Sequence, residues 1–260
     1  MIIGTCGAWD EGSLRKIKSY GCDCVEPPLF LVAEDSDEKL KRSREVCEEI
    51  GLKCLSFNGM LTGNMSLLGG KDCYGPLEEY MRRALAKASI LGGNIIVLGC
   101  GAQRRIPEGM DPETAEERFV NVLRDVIVPA AEEKGFTVAL EELRKEECNF
   151  INSAKEAYGI IKRVGSGSLK LHIDYFHTML GGATLEEIAG YGDMIAHVHL
   201  SSLKHFREFP KLSDVDEFAE LRKALEKAGY KGAATFEGVM PGDYWETLDE
   251  AVKTMRAAGY

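Results

Sequence analysis

Between residues 169 and 199 the chain reads Leu169-Lys170-Leu171-His172-Ile173-Asp174, Tyr175-Phe176-His177, Thr184-Leu185-Glu186-Glu187, Tyr191-Gly192 and Met194-Ile195-Ala196-His197-Val198-His199. The first and last phrases are apolar runs of strand length, each ending in a side chain that binds metals. Between them, Thr184 and Glu187 have the spacing of a capping box, which opens a helix. Gly192 stands where a left-handed residue closes one. Strand, helix and strand in this order form a βαβ unit, whose two strands run parallel.

The same phrase recurs on both sides. Thr137-Val138-Ala139-Leu140 ends in Glu141, and Ala233-Ala234-Thr235-Phe236 ends in Glu237. The steps from Glu141 to Asp174, His199 and Glu237 are 33, 25 and 38 residues, each the size of one strand–helix unit. Toward the N-terminus, helices closing at Gly21, Gly51, Gly92-Gly93 and Gly135 precede strands near 23–25, 53–56, 94–98 and 136–140. Ile2–Gly4 opens the series, so the pattern predicts eight strands. Helix starts agree: Ser36-Asp37-Glu38 opens an amphipathic stretch to Ile50, and Pro76 and Pro112 suit first turns. In the helix expected over 112–134, Phe119, Val122, Leu123, Ile127 and Ala130 share a stripe. The expected fold is α/β, a single (β/α)8 TIM barrel over residues 1–260. No GxGxxG follows the first strand, which disfavours an open dinucleotide-binding sheet.

A formal charge of −10 excludes nucleic-acid binding through a basic surface, but not a small anionic substrate. Eight cysteines without a CxxC pair, mostly inside apolar runs, read as buried thiols of a reducing compartment. No stretch reaches 18 consecutive apolar residues, and the first residues lack signal-peptide form. The expectation is a cytoplasmic protein with no membrane partner.

Parallel barrel strands bring their C-terminal ends to one rim. Three carboxylates and an imidazole meeting there repel unless a positive charge lies between them. A divalent cation is the simplest candidate, and mostly oxygen donors with one imidazole suit Mn, Mg, Co or Zn.

Leu140-Glu141-Glu142-Leu143, Ile173-Asp174-Tyr175-Phe176-His177, Ala196-His197-Val198-His199 and Thr235-Phe236-Glu237 resemble motifs of the xylose isomerase-like TIM barrel superfamily. These sugar phosphate isomerases and epimerases include ketose 3-epimerases. The resemblance implies that Glu141, Asp174, His199 and Glu237 ligate the metal, and that Glu147 and His177 contact substrate oxygens. Many relatives carry an acid three residues and an Arg six residues after the ligand histidine, where this chain has Ser202 and His205. Arg207-Glu208-Phe209-Pro210 keeps Arg-x-aromatic-Pro two residues later, so a longer loop with Arg207 at the substrate is expected.

The implied activity is isomerisation or epimerisation of a sugar or sugar phosphate through an enediolate, with Glu141 and Glu237 as the proton-transferring pair. An inosose dehydratase-like lyase is the alternative within the superfamily. An endonuclease IV-like phosphodiesterase is remote, because no His precedes His172. Arg104, with Arg105, is a candidate contact for a sugar carboxylate or phosphate. His197 is expected to face away from His199 and to be structural, and His172 to be a core residue. Glu26 and Asn58 end earlier strands and are weaker candidates. Trp9, Met60, Leu61 and Met65 either cover a sugar face or pack between loops. A homo-oligomer is compatible with the resemblance.

Overall fold

A computed structural model describes residues 1–63 and 65–260. Its strands are β1 (Ile2–Cys6), β2 (Cys24–Glu26), β3 (Lys53–Cys54), β4 (Ser56–Phe57), β5 (Ile95–Leu98), β6 (Thr137–Leu140), β7 (Leu169–Asp174), β8 (Ile195–Leu200) and β9 (Ala233–Phe236). All pairings are parallel, in the order β3-β2-β1-β9-β8-β7-β6-β5-β4. The two outermost strands, β3 and β4, are joined through Leu55 alone, so the sheet returns on itself as a TIM barrel. Eight strands were expected, and the ninth comes from a break in the third. Leu55 pairs with neither flanking ladder in register; its carbonyl accepts from Asn94 N (3.1 Å) and Ile95 N (3.3 Å) as the chain passes from β2 to β5.

Local chemistry sets the outer helices. Ser36 caps Asp37–Ile50 and left-handed Gly51 closes it. Thr184 and Glu187 form the reciprocal capping box of Leu185–Gly190. Asp111 caps the helix that begins at Pro112. That helix runs through a π-helical turn at Leu123–Ile127 into Val128–Glu133. Pro129 lacks an N–H and crowds the carbonyl four residues back, which accounts for the widened turn. The five stripe residues are nonetheless all buried.

Register decides what reaches the rim. Asp174 lies beside His199, and His199 beside Thr235. One step deeper, His172 lies beside His197. Residues two apart on a strand share a face. His197 and His199 therefore both enter the barrel, in successive layers, which corrects the expectation that they face opposite ways.

Candidate metal centre

Glu141, Asp174, His199 and Glu237 each offer one donor atom, and these four atoms lie within 4.8 Å of one another. They come from the ends of β6, β7, β8 and β9. Gly99, at the end of β5, makes room: a Cβ there would overlap Glu141 Oε2. Asp174 Oδ1 accepts from His177 N at 3.0 Å, capping the short helix Tyr175–Leu180 and fixing the carboxylate.

Glu141 Oε1, Asp174 Oδ2 and His199 Nδ1 are buried and have no hydrogen-bond partner among the described residues. Burial, and then the charges of Glu237 and Asp174, push the Glu141 carboxyl well above its ordinary range. Burial opposes the imidazolium of His199, yet Glu26 and Glu237 hold its pKa well above the usual value. Three carboxylates and one imidazole whose donor atoms cluster, three of the four residues carrying a buried atom without a partner, fit a divalent cation.

A polar floor supports this layer. Glu26 Oε1 accepts from His199 Nε2 at 3.0 Å, which leaves Nδ1 turned toward Glu237 Oε2 at 3.4 Å. Glu26 Oε2 is shared by His197 Nε2 (2.6 Å), Thr235 Oγ1 (2.6 Å) and Ser56 Oγ (2.8 Å). Burial resists ionisation of Glu26, but the imidazoles of His197 and His199 hold its carboxyl well below the usual range. A carboxylate behind a ligating histidine fixes the ring's tautomer and orientation. Glu26 is thus tied to the cluster more closely than its sequence position indicated. Cys6 Sγ, 4.0 Å from His199 Nε2, escaped the reading of the chain. Its position at the end of β1 was the available signal. Burial pushes its thiol pKa strongly up.

Arg207 spans the mouth. Its Nη2 lies 2.9 Å from Glu237 Oε2 and 3.9 Å from Asp174 Oδ2, and its Nη1 lies 3.1 Å from Glu147 Oε1. Phe206 and Arg207 both adopt left-handed backbone, φ 48° and 69°. Non-glycine residues in that region cost on the order of 1 kcal/mol or more each, and such strain collects at functional sites. Ser202 O accepts from Arg207 N at 2.9 Å, and Arg207 O accepts from Val239 N at 2.8 Å. This turn carries the loop that follows β8 back toward the end of β9. Glu147 also accepts from Arg144 Nε at 2.7 Å and approaches His177 Nε2 at 3.6 Å. His177, Glu147 and Arg207 therefore gather beside the four donors. His205 turns away, toward Ser213 Oγ at 3.0 Å.

Arg104 does not reach this mouth. It is fully buried, and Nη1 donates to Leu98 O at 3.3 Å. It ends the short helix Gly101–Arg104, and its Nε and Nη2 have no hydrogen-bond partner among the described residues. Arg105 is exposed and donates to Glu147 O. Trp9, Met60 and Leu61 pack in the core, Trp9 Nε1 donating to Asp35 at 2.7 Å. Met65 packs against that core, and Asn58 is half-buried.

Residues 14–258 match the model of the xylose isomerase-like TIM barrel family, and the chain belongs to that family. It is 26% identical to a D-psicose 3-epimerase of Enterocloster bolteae (strain ATCC BAA-613) over 251 residues, 94% of this chain and 80% of that protein. The crystal structure of a D-psicose 3-epimerase in the presence of D-fructose superposes with a TM-score of 0.84, at 18% identity, covering 98% of this chain and 97% of that one. The IOLI protein with a bound zinc atom superposes at 0.75, with 20% identity, 99% of this chain and 98% of that one covered. Among the described residues no helix is long and apolar enough to cross a membrane.

Proposed function

We propose that this chain acts as one catalytic barrel, a divalent-metal-dependent sugar isomerase or epimerase that moves a proton next to a carbonyl through an enediolate. The observation that carries the reading is the meeting of Glu141, Asp174, His199 and Glu237 within 4.8 Å, beside Arg207, His177 and Glu147. Family membership and the 3-epimerase relative support the reaction class.

Glu141, Asp174, His199 and Glu237 would hold the cation, which when bound supplies electrophilic stabilisation of negative charge developing on the sugar's oxygens. Glu141 and Glu237 stand on β6 and β9, with β7 and β8 between them. Each carboxylate can take a proton from, or return it to, a carbon placed between them, the two acting from opposite sides. His177 and Glu147 would orient the hydroxyls flanking that carbon. Arg207 holds Glu237 and Glu147 in place. Arg144 and Arg207 at the mouth are already paired with acids, whereas exposed Arg105 donates to the backbone of Glu147 and is the cation open to a phosphate.

The test is a panel of free and phosphorylated ketoses offered to chelator-stripped protein with Mn, Mg, Co or Zn added singly. A 3-epimer or an aldose appearing only with metal supports the reading. Loss of water from a keto-inositol would favour the lyase, and metal-independent turnover would overturn the proposal.

A further inference from the structure

Beneath the four donors lies a residue for which the proposed chemistry has no use. His172 is fully buried, and neither ring nitrogen has a hydrogen-bond partner among the described residues. Its register neighbour His197 occupies the same layer, yet His197 Nε2 is engaged by Glu26 (2.6 Å), Thr235 (3.1 Å) and Ser56 (3.2 Å). An aromatic needed only to fill space would be Phe, which leaves no buried polar atom unsatisfied. The His172 ring instead stands edge-on to His199, centroids 4.1 Å apart. Donor atoms of Glu141, His172 and His199 lie within 4.8 Å of one another. Two of those partners, Glu141 and His199, themselves carry orphaned atoms.

We infer that the centre has a second, deeper cation position formed by His172, Glu141 and His199, which takes a nitrogen-preferring ion such as Zn2+. Two imidazoles and one carboxylate are a common three-residue zinc set with a coordination place left open. The outer position, three carboxylates and one imidazole, suits an oxygen-preferring ion such as Mn2+ or Mg2+. Both positions use Glu141 and His199, so one ion excludes the other. A Zn2+ ion held there would take His172 as a ligand in place of Asp174 and Glu237, and would compete with Mn2+ for the shared Glu141 and His199. The inference rests on the reading that the outer four residues bind a cation.

The test needs no activity. Chelator-stripped wild-type protein is loaded with one equivalent of Zn2+ or of Mn2+. Imidazoles are counted at zinc by X-ray absorption and at manganese by nitrogen couplings in pulsed EPR. Two imidazoles at zinc and one at manganese are expected. One imidazole at each ion overturns the inner position and leaves the outer one standing, whereas failure of both ions to bind overturns both. In His172→Phe, Zn2+ affinity by chelator competition should fall roughly tenfold or more, the scale of losing a metal partner. Mn2+ affinity should stay close to wild type, and an equal change for the two ions overturns the inference.

Discussion

Arg207 Nη2 sits 2.9 Å from Glu237 Oε2, on the carboxylate that also faces His199 Nδ1 at 3.4 Å. A guanidinium therefore neutralises part of the same negative cluster that is proposed to hold the cation. Like charges compete for one set of carboxylates, so removing this one has two opposite effects. Arg207→Met should tighten Mn2+ binding by roughly three- to tenfold, the scale of one partly exposed charge interaction. The same change should lower turnover by tenfold or more, because Glu147 and Glu237 lose their common partner. Calorimetric titration and steady-state kinetics read the two numbers. Weaker Mn2+ binding in the variant would contradict the competition.

Glu141→Gln and Glu237→Gln should each lower turnover by about a hundredfold or more, the scale of losing a general base. Each variant must be assayed at saturating metal, with the bound metal measured. Near-normal turnover in both would remove them from proton transfer. A loss of turnover that bound metal fully accounts for would leave them as ligands alone.

Metal uptake should release protons. Without a cation, burial and neighbouring carboxylates push Glu141 up, and Glu26 and Glu237 hold His199 up. Both groups keep protons at pH values where free side chains lose them, and a cation must displace those protons. Apparent affinity for Mn2+ should therefore rise with pH between about 5 and 8. Titration in buffers of different ionisation enthalpy should show net proton release. Affinity flat across that window would contradict the assignment.

Glu26 joins the centre to the barrel floor. Its folded pKa is depressed, so its stabilising contribution is present above the ordinary carboxylate range and fades as pH falls toward the folded value. Glu26→Gln leaves His199 without its buried counter-charge and His197 without its carboxylate partner, and should cost about 3 kcal/mol or more at neutral pH. The variant's stability should also fall less steeply than the parent's as pH drops from about 5 to about 3. Metal affinity should weaken by roughly 10- to 100-fold. Denaturant unfolding at several pH values checks the first two expectations, and an unchanged unfolding midpoint would contradict them.

Gly99 isolates geometry from chemistry. A Cβ at this position overlaps Glu141 Oε2. Gly99→Ala should thus keep the barrel folded and lose metal affinity, because Glu141 must turn away. Circular dichroism and metal titration separate the two effects, and wild-type affinity would count against this placement of Glu141.

Much of this was legible in the chain because period and position carry it. Helix-closing glycines, caps such as Ser36 and Thr184, and short apolar runs ending in ligand types arise from local chemistry. They led to the parallel strands and to Glu141, Asp174, His199 and Glu237 on one rim. The rest depends on contacts between distant segments. Glu26 meets His199 across 173 residues of chain, and Arg207 meets Glu147 across 60. No local pattern in the sequence encodes those meetings. Arg104 looked like a loop cation, but where the short helix Gly101–Arg104 packs decides its burial. Leu55 splits one strand because the barrel hands over its pairing there, and that is a property of closure.

The most direct test of the central claim is exchange of the ketose proton beside the carbonyl with solvent deuterium, followed by NMR in chelator-stripped protein before and after Mn2+ is restored. The account predicts deuterium entering that one carbon only with metal present, and at a rate cut by about a hundredfold in Glu237→Gln. Exchange that proceeds equally without metal, or none with any ketose while the cation is bound, would contradict it.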